Sequence, residues 1–288
     1  MRRAVLAFAA TVEGGGGALR DALVDANRLR RMDRFGRSGV LAGARSLAAA
    51  GFPPVAAGAA PDPRFGVFVG TAFGCRDAIT QHERLLAAAA RVEDLAPSVF
   101  AATVHNTVAG ELAIGWGLGG PAETLVSGRT AGLEALVLAA SRIAKGDADR
   151  ILVVAAEGID DAMRETDATL VESSAAVLLE AEEEEGEKKI SLRGKGKAFF
   201  VEAVLSFDPD PQTAKFEEGP EDFLEGVGLG GERRDGGAVP ERLGATGLWE
   251  IARDLAEPYS PSEKIRNRRY EVFDAHGSRC AVTLAFFS

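Results

Sequence analysis

The residues that could carry out covalent chemistry in this chain are two cysteines, Cys75 and Cys280, and three histidines, His82, His105 and His276. Cys75 follows a turn in the segment GTAFGCRD and could act as a nucleophile, although an ordinary buried thiol is the alternative. The spacing of these residues fits neither a zinc site nor a disulfide framework, and a serine hydrolase motif GxSxG is absent. We therefore expect no metal and no cofactor.

Glycine-rich stretches at residues 14–17, 115–120 and 226–231 could be proposed as phosphate cradles. None of them combines a preceding strand, a full GxGxxG and a downstream acid, so nucleotide binding is not expected. The net charge of -10 and the pI near 5 argue against nucleic acid as a partner, because phosphate binding requires clustered lysine and arginine.

The first residues, MRRAVLAFAAT, could imitate a signal peptide, but GGGG follows them without a clear cleavage site. We expect a first β-strand there. No apolar stretch is long and charge-free enough to span a bilayer. With two cysteines and no disulfide pattern, the composition fits a reducing cytoplasm.

The strands and helices that position these residues can be predicted from the sequence. Short apolar runs alternate with alanine-rich segments of helical period, which is typical of a layered α/β protein. The predicted strands are residues 5–9, 66–69, 123–126, 151–155, 174–179, 197–205 and 281–286. The predicted helices are residues 18–29, 38–50, 77–90, 107–115, 130–144 and 244–255. The helix from Thr130 is apolar on nearly every side, which predicts a central helix buried on all faces.

Five segments occur in the order seen in β-ketoacyl-acyl-carrier-protein synthases and resemble them. They are RMDRFGRSGVLAGARSLAAAGF from Arg31, RFGVFVGTAFG, PSVFAATVHNTVAGELAIGWGLGGPAETLVSG, TAGLEALVLAASRIAKGDADRILVVAAE and ESSAAVLLEA. The resemblance is dense from about Asp33 to Glu180 and thinner afterwards. It implies a thiolase-like α/β fold, a five-layer αβαβα sandwich of two similar halves. We expect an N-terminal half over residues 1–180 and a shortened C-terminal half over residues 181–288.

Members of the resembled family have a cysteine nucleophile, followed by a small-small-Gly step, at the start of a buried helix, where the helix N-terminus stabilises a thiolate. In SGRTAG the cysteine position is occupied by Arg129, and a guanidinium cannot act as a nucleophile. The segments VGLGGERRD and ERLGATG place Val227 and Glu241 at the two histidine positions of the family. No catalytic residue of the family's set is therefore expected.

Because a buried Arg129 would be costly alone, we predict an ion pair between Arg129 and Glu241, with Val227 filling apolar space beside it. The segment FDAHGSRCAVTLAF resembles the terminal turn and strand of the family, which places His276 near its gating phenylalanine and Cys280 just before the last strand. His105 and Asn106 are expected to be structural, near a subunit interface.

The resemblance implies a chain-length-factor-like subunit that pairs with an active ketosynthase in fatty acid or polyketide biosynthesis, as in aryl-polyene-type clusters, and meets an acyl-carrier protein. We expect a dimer, because such folds continue a central sheet across the interface. One alternative is a homodimer that binds an acyl chain or acyl-carrier protein without chemistry. Another is a hydrolase or decarboxylase that uses Cys75, His276 or Glu241 in a remodelled site.

Overall fold

The apolar runs of the sequence form the strands of a mixed β-sheet, and the alanine-rich segments form helices on its faces. The computed structural model describes residues 3–13, 28, 32–89, 91, 97–182, 197–206, 243–256, 265–273 and 279–287. The described strands are β1 (Arg3–Glu13), β2 (Phe65–Thr71), β3 (Ala122–Val126), β4 (Arg150–Glu157), β5 (Ser173–Glu182), β6 (Lys197–Ser206), β7 (Ile265–Phe273) and β8 (Arg279–Phe287).

These strands lie in the order β3-β2-β4-β5-β1-β6-β8-β7. Strand β2 is parallel to both β3 and β4, and all other neighbours are antiparallel. The carboxyl ends of β2, β3 and β4 therefore meet at one edge of the sheet. In parallel α/β sheets this edge is where loops converge into functional sites.

The described helices are α1 (Arg34–Ala49), α2 (Arg76–Ala88), α3 (Pro97–Phe100), α4 (Thr107–Trp116), α5 (Ala131–Lys145), α6 (Asp161–Thr166) and α7 (Thr246–Ala256). Among them, none combines the length and the apolar character needed to cross a bilayer. Asp33 precedes helix α1, and its side chain accepts a hydrogen bond from the Gly36 amide at 2.8 Å. This is a standard N-cap.

Helices α1 and α4 pack together on one face of the sheet because α1 has glycines at the contact. A Cβ at Gly39 would lie 2.9 Å from the Val108 side chain, and one at Gly43 would lie 2.8 Å from that of Leu112. The core on this face also contains Phe35, Trp116 and Leu152. Small residues thus allow two helices to approach closely over the buried strands.

Helices α5 and α7 occupy the other face and pack against strands of both parts of the sheet. Their core contains Ile151 and Val177 from β4 and β5, together with Val272 and Val282 from β7 and β8. Residues 131–136 at the start of α5 are all buried, and Lys145 is its only exposed residue. The prediction of a helix buried on all faces holds for its first turns, whereas most residues of its second half are half-buried. All eight described strands belong to one hydrogen-bonded sheet, which continues from β1 to β6 through two residue pairs, Val5 with Phe199 and Leu6 with Ala198.

The α/β layering and the seven predicted strands agree with the structure, with ends displaced by a few residues. Cys280 lies within the last strand rather than just before it, because β8 begins at Arg279. Strand β7 was not predicted, since IRNRRYEVF lacks a continuous apolar run, and this strand is the last in the order of the described strands. The predicted helix over residues 18–29 falls outside the described residues. The division at residue 180 stays a prediction.

Candidate active site

A strand, a tight turn and a helix position Arg129. Strand β3 ends at Val126, a 3-10 turn covers Gly128–Thr130, and α5 begins at Ala131. Gly128 has φ of 69°, the left-handed conformation that a glycine adopts without strain. We call Ser127–Thr130 the elbow. Arg129 lies in this turn, just before the buried helix, and is half-buried rather than buried.

Two hydroxyl groups of the elbow are bound by one carboxylate from α5. The Ser127 hydroxyl donates to Glu134 Oε2 at 2.7 Å, and the Thr130 hydroxyl donates to Glu134 Oε1 at 2.5 Å. Glu134 is 9% exposed. The two donors are the second residue before Arg129 and the first residue after it, so Glu134 fixes the elbow from both sides.

Glycines bring the start of α5 into contact with its surroundings. A Cβ at Gly70 would lie 2.3 Å from the Ala131 carbonyl oxygen, and a Cβ at Gly132 would lie 2.6 Å from that of Gly244. Such distances are well inside van der Waals contact. The sequence can place β2, α5 and the 3-10 turn Leu243–Ala245 this close only because both positions lack a side chain.

A second buried carboxyl group, Glu157, ends β4 beneath the elbow. It is fully buried and accepts hydrogen bonds from the Ala72 amide, from the Thr71 hydroxyl at 3.2 Å and from the Phe73 amide at 3.4 Å, with a further one from the backbone of Gly244. Burial raises the pKa of Glu157 to about 8, although these hydrogen bonds oppose the shift. Glu157 thus links the ends of β2 and β4 to the turn before α7.

The charge of Arg129 acts on a loop that sequence reasoning did not single out. Asp167 follows α6 and accepts hydrogen bonds from the amide and the hydroxyl of Thr169, at 2.8 Å and 2.6 Å. These hydrogen bonds, with a smaller contribution from the Arg129 charge, hold the pKa of Asp167 below its usual range. The guanidinium therefore lies within electrostatic reach of the loop after α6.

The other predicted site residues, Val227, Glu241 and His276, lie outside the described residues. The ion pair between Arg129 and Glu241, the apolar role of Val227 and the gate at His276 therefore stay predictions. Within the described part of the chain, no group of three or more histidine, cysteine or acidic side chains could hold a metal ion.

Cys75 and His105 are brought together, a pairing that their separate sequence contexts did not predict. The Cys75 thiol lies 3.5 Å from His105 Nδ1, just before α2, and a Cβ at Gly74 would lie 2.2 Å from that nitrogen. Cys75 is fully buried, and burial together with the nearby Asp33 charge raises the pKa of its thiol to about 11. A thiol in this state is not a nucleophile at neutral pH.

Cys280 is equally unreactive. It is fully buried in β8, and burial together with the Glu134 charge raises the pKa of its thiol to about 12. Both native cysteines are therefore buried thiols with raised pKa values.

Sequence reasoning missed Glu134 and Glu157, although each left a detectable signal. Glu134 is the one acid near the start of a helix that is otherwise apolar, and Glu157 is the acid that ends the apolar strand ILVVAA. A charged residue inside an apolar run requires a buried partner, because an unpaired charge is expensive to bury. That rule points to both residues, but the partners become visible only in three dimensions.

Several large apolar residues on and before α4 and at the end of β3 are exposed. Strand β3 is at the end of the described sheet order, and its last residue, Val126, is 48% exposed. Ile114 on α4 is 68% exposed, and Phe100 and Val104 just before α4 are also exposed. Exposed large apolar side chains, where they form a contiguous patch, typically mark an interaction surface.

Solved structures with similar folds are ketosynthases and their relatives. One described as the ishigamide ketosynthase/chain length factor superposes with a TM-score of 0.73 at 18% identity, covering 99% of this chain and 100% of the other. A β-ketoacyl synthase from Burkholderia phymatum STM815 gives 0.69 at 16% identity, with 100% of both chains covered. The complex AntDE:AntF, an acyl-carrier protein with its ketosynthase, gives 0.68 at 14%, with 99% of both covered. These similarities confirm the thiolase-like α/β fold.

Sequence similarity agrees with the fold. The 3-oxoacyl-[acyl-carrier-protein] synthases 2 of Vibrio cholerae serotype O1 and Vibrio harveyi are each 35% identical over 129 residues. This match covers 44% of this chain and 30% of each relative, so the aligned part spans less than a third of their length. The model of the β-ketoacyl synthase N-terminal domain matches residues 20–184, more than half of the sequence. The chain belongs to the β-ketoacyl synthase family.

Proposed function

We propose that this chain is a non-catalytic partner subunit of an active β-ketoacyl-acyl-carrier-protein synthase, similar to a chain-length factor. The observation that carries the proposal is Arg129, which occupies the elbow at the head of the buried helix α5. This is where the family's cysteine is expected from the sequence. A guanidinium stays protonated at every working pH and cannot attack a thioester.

The described neighbours of the elbow give no substitute for the cysteine. Both native thiols are buried, with their pKa values raised to about 11 for Cys75 and about 12 for Cys280. The remaining groups at the elbow are hydroxyls that donate to Glu134. This arrangement favours a structural role for the elbow over acyl transfer.

The names of the structural neighbours support the partner role. One of them is described as a ketosynthase/chain length factor, and another is a ketosynthase in complex with an acyl-carrier protein of a type II polyketide synthase. By analogy, the partner of this chain is an active ketosynthase that receives its substrate from an acyl-carrier protein. The pathway would then be fatty acid or polyketide biosynthesis.

The surface of β3 and α4 supports a dimer. Strand β3 offers an unpaired outer side among the described strands, and Val126 and Ile114 extend apolar surface around it. An edge strand of this kind is covered by pairing with a strand of another chain in many proteins. We propose that the active ketosynthase docks here and continues the sheet.

A homodimer that binds an acyl chain or an acyl-carrier protein without chemistry would use the same surface. The two proposals differ in the partner, so the test must offer both partners at once. The chain is expressed alone and beside a ketosynthase encoded next to it, and each preparation is analysed by size-exclusion chromatography with light scattering.

A 1:1 complex with the ketosynthase, with little homodimer left, supports the partner-subunit proposal. A stable homodimer that ignores the ketosynthase supports the homodimeric binding protein instead. A separate assay incubates the purified chain with acyl thioesters of coenzyme A and of acyl-carrier protein. A covalent acyl adduct on the chain would defeat both non-catalytic proposals.

A further inference from the structure

Residues 158–172 join β4 to β5, and we call this segment the strap. It contains α6, in which Met163 is the one buried residue. Asp160 caps this helix, and its side chain accepts a hydrogen bond from the Met163 amide at 2.7 Å. The rest of α6 is exposed, so a single side chain of this helix packs against the body of the protein.

The strap has an apolar cluster of its own. Ile159 is fully buried, and Met163 is 4% exposed. They pack with Leu170 of the strap and with Ala72, which follows β2, and this cluster is separate from the two large cores on the faces of the sheet. Ala72 also donates its amide to Glu157. The strap therefore covers the turn that binds this buried carboxyl group.

Two arginines outside the strap hold it to the neighbouring helices. Arg34 of α1 donates to the Ile159 carbonyl at 3.2 Å, and its guanidinium lies 3.8 Å from the Asp161 carboxylate. The guanidinium of Arg76, on α2, lies 3.5 Å from the Asp160 carboxylate. The side chains of these arginines are 41% and 43% exposed. Ion pairs with this exposure are weak, and dissolved salt screens them.

The end of the strap carries a buried carboxyl group that is poorly satisfied. Glu172 is 6% exposed, and its Oε1 accepts no hydrogen bond from the described residues. Burial raises the pKa of Glu172, although the charges of Arg34 and Arg164 oppose the shift. A buried polar atom without a partner costs free energy. Opening of the strap would return this oxygen to water and remove that cost.

These contacts predict a low local stability for the strap. Two buried side chains and two exposed ion pairs must offset the lost conformational freedom of the whole segment, and Glu172 adds a desolvation cost. The strands next to the strap belong instead to large cores of fully buried apolar side chains. Segments with few buried contacts open locally while the rest of a protein stays folded.

We propose that the strap is a salt-sensitive lid over the edge of the sheet where β2 and β4 end, and that it opens as a unit while the strands stay folded. In the closed state Arg34 and Arg76 hold the lid by charge, and Ile159 and Met163 hold it by apolar contact. The loop after α6 is the part of the lid within electrostatic reach of Arg129. Opening would therefore change the access of solvent to the elbow.

The test uses the full chain with Met163→Cys, which places a thiol under the closed lid. Alkylation by iodoacetamide is followed by peptide mass at constant pH, in about 20 mM and about 500 mM NaCl, which give weak and strong screening. The new thiol should react at least about fivefold faster at the higher salt concentration, because both ion pairs weaken. Cys280 is buried in the main core and should stay unmodified throughout, which shows that the rest of the chain remains folded.

In the M163C chain, Arg34→Gln and Arg76→Gln together should raise the low-salt rate to the high-salt rate. Arg150→Gln is the matched control, because Arg150 pairs with Glu180 at 3.0 Å, at the opposite end of β4. This change should leave both rates as they are. The inference is overturned if the new thiol reacts no faster than Cys280, if its rate is independent of salt, or if R150Q has the effect of the other two changes.

A second measurement needs no substitution. Amide hydrogen exchange of the unchanged chain should be at least about tenfold faster in α6 than in β4, and the difference should widen with salt. The Met163 and Asp167 amides, which are hydrogen-bonded at the two ends of α6, should be protected equally, because the lid opens as a unit. Equal exchange in α6 and β4, or exchange that ignores salt, would overturn the lid even if the M163C chain does not fold.

The lid goes beyond the proposed function and does not rest on it. An acyl adduct on the unchanged chain defeats the proposed function and leaves the lid in place. Salt-independent opening of the strap defeats the lid and leaves the proposed function in place.

Discussion

The carboxyl end of β3 and its outer side have very different surroundings. At its carboxyl end the chain turns into the elbow, where hydroxyls are bonded to Glu134 and glycines close the space around α5. Along its outer side no described strand pairs with it, and Val126 and Ile114 are exposed. The carboxyl end is held by contacts within the chain, whereas the outer side, which we propose a second chain covers, has no partner among the described strands.

Under the proposed function, this difference lets a family member keep its fold without acyl-transfer chemistry. A catalytic site needs accessible, reactive groups, which cost stability, whereas an interface needs only exposed apolar surface. Here the elbow is half-buried and held by Glu134, and the side of β3 next to it is unpaired among the described strands. The predictions below test each side of this contrast.

The largest effect is expected on association with a partner chain, from changes at the outer side of β3. Replacing Val126 and Ile114 together by glutamate places charges where the dimer must exclude water, and should weaken association by at least about 100-fold. The measurement is light scattering across a concentration series. Leu86→Glu is the control, because Leu86 on α2 is as exposed as Val126, at 48%. Unchanged association of the double variant would refute the proposed interface.

At the start of α5, next to the elbow, Gly132→Ala should lower the free energy of unfolding by several kcal/mol, on the order of the cost of overpacking a rigid core. Its Cβ would lie 2.6 Å from the Gly244 carbonyl oxygen and 2.9 Å from the Ala155 Cβ. Gly110→Ala in α4 is the control, because nothing lies within 4 Å of that Cβ, and it should gain up to about 1 kcal/mol from helix propensity. The free energies of unfolding of both variants are measured by denaturant titration and compared with that of the unchanged chain. Equal effects would mean that α5 is not tightly enclosed.

Glu157 should make stability depend on pH. Its pKa is about 8 in the folded chain, against an ordinary value of 4.5. The folded state therefore holds the proton more tightly, and this stabilisation is complete below about pH 4.5 and lost as the pH rises to about 8. The slope contributed by one proton is at most about 1.4 kcal/mol per pH unit.

The measurement is Tm against pH for the unchanged chain and for Glu157→Gln, which should show a flatter fall between pH 6 and pH 8. Asp33→Asn is the control. Burial raises the pKa of Asp33 only to about 6, so the stabilisation from its proton is lost at a lower pH than the stabilisation from Glu157. Identical slopes in all three proteins would show that Glu157 is ionised when folded.

The smallest effect is expected from the native cysteines. Both are fully buried with raised pKa values, so neither should be modified by iodoacetamide in the folded chain at pH 7.5 over hours. Intact mass measures this directly, and urea-unfolded protein provides the positive control. Rapid modification of Cys75 would instead revive its pairing with His105 as a reactive site.

Much of the fold could be predicted from the sequence because its signals are local. The buried strands and the apolar helix α5 follow from composition and period, and the position of Arg129 follows from the order of glycine and small residues around it. Strand β7 was missed because an edge strand can carry arginines where a central strand cannot.

The site was harder to predict, since its contacts join residues that are distant in sequence. Glu157 meets Thr71 across two strands, and Cys75 meets His105 across a loop and a helix. Even Glu134, close to its partners in sequence, depends on the turn at Gly128 to bring Ser127 within 2.7 Å. Residue patterns identify which groups are unusual, but only the packing of the chain decides what they meet.

The central claim, that this chain is a family member without acyl-transfer chemistry, is tested most directly in one reaction. The chain and an active ketosynthase are mixed with an acyl-carrier-protein thioester, and the intact mass of each protein is recorded over time. We predict that the ketosynthase gains the acyl group while this chain keeps its original mass. A stoichiometric acyl adduct on this chain would contradict the claim.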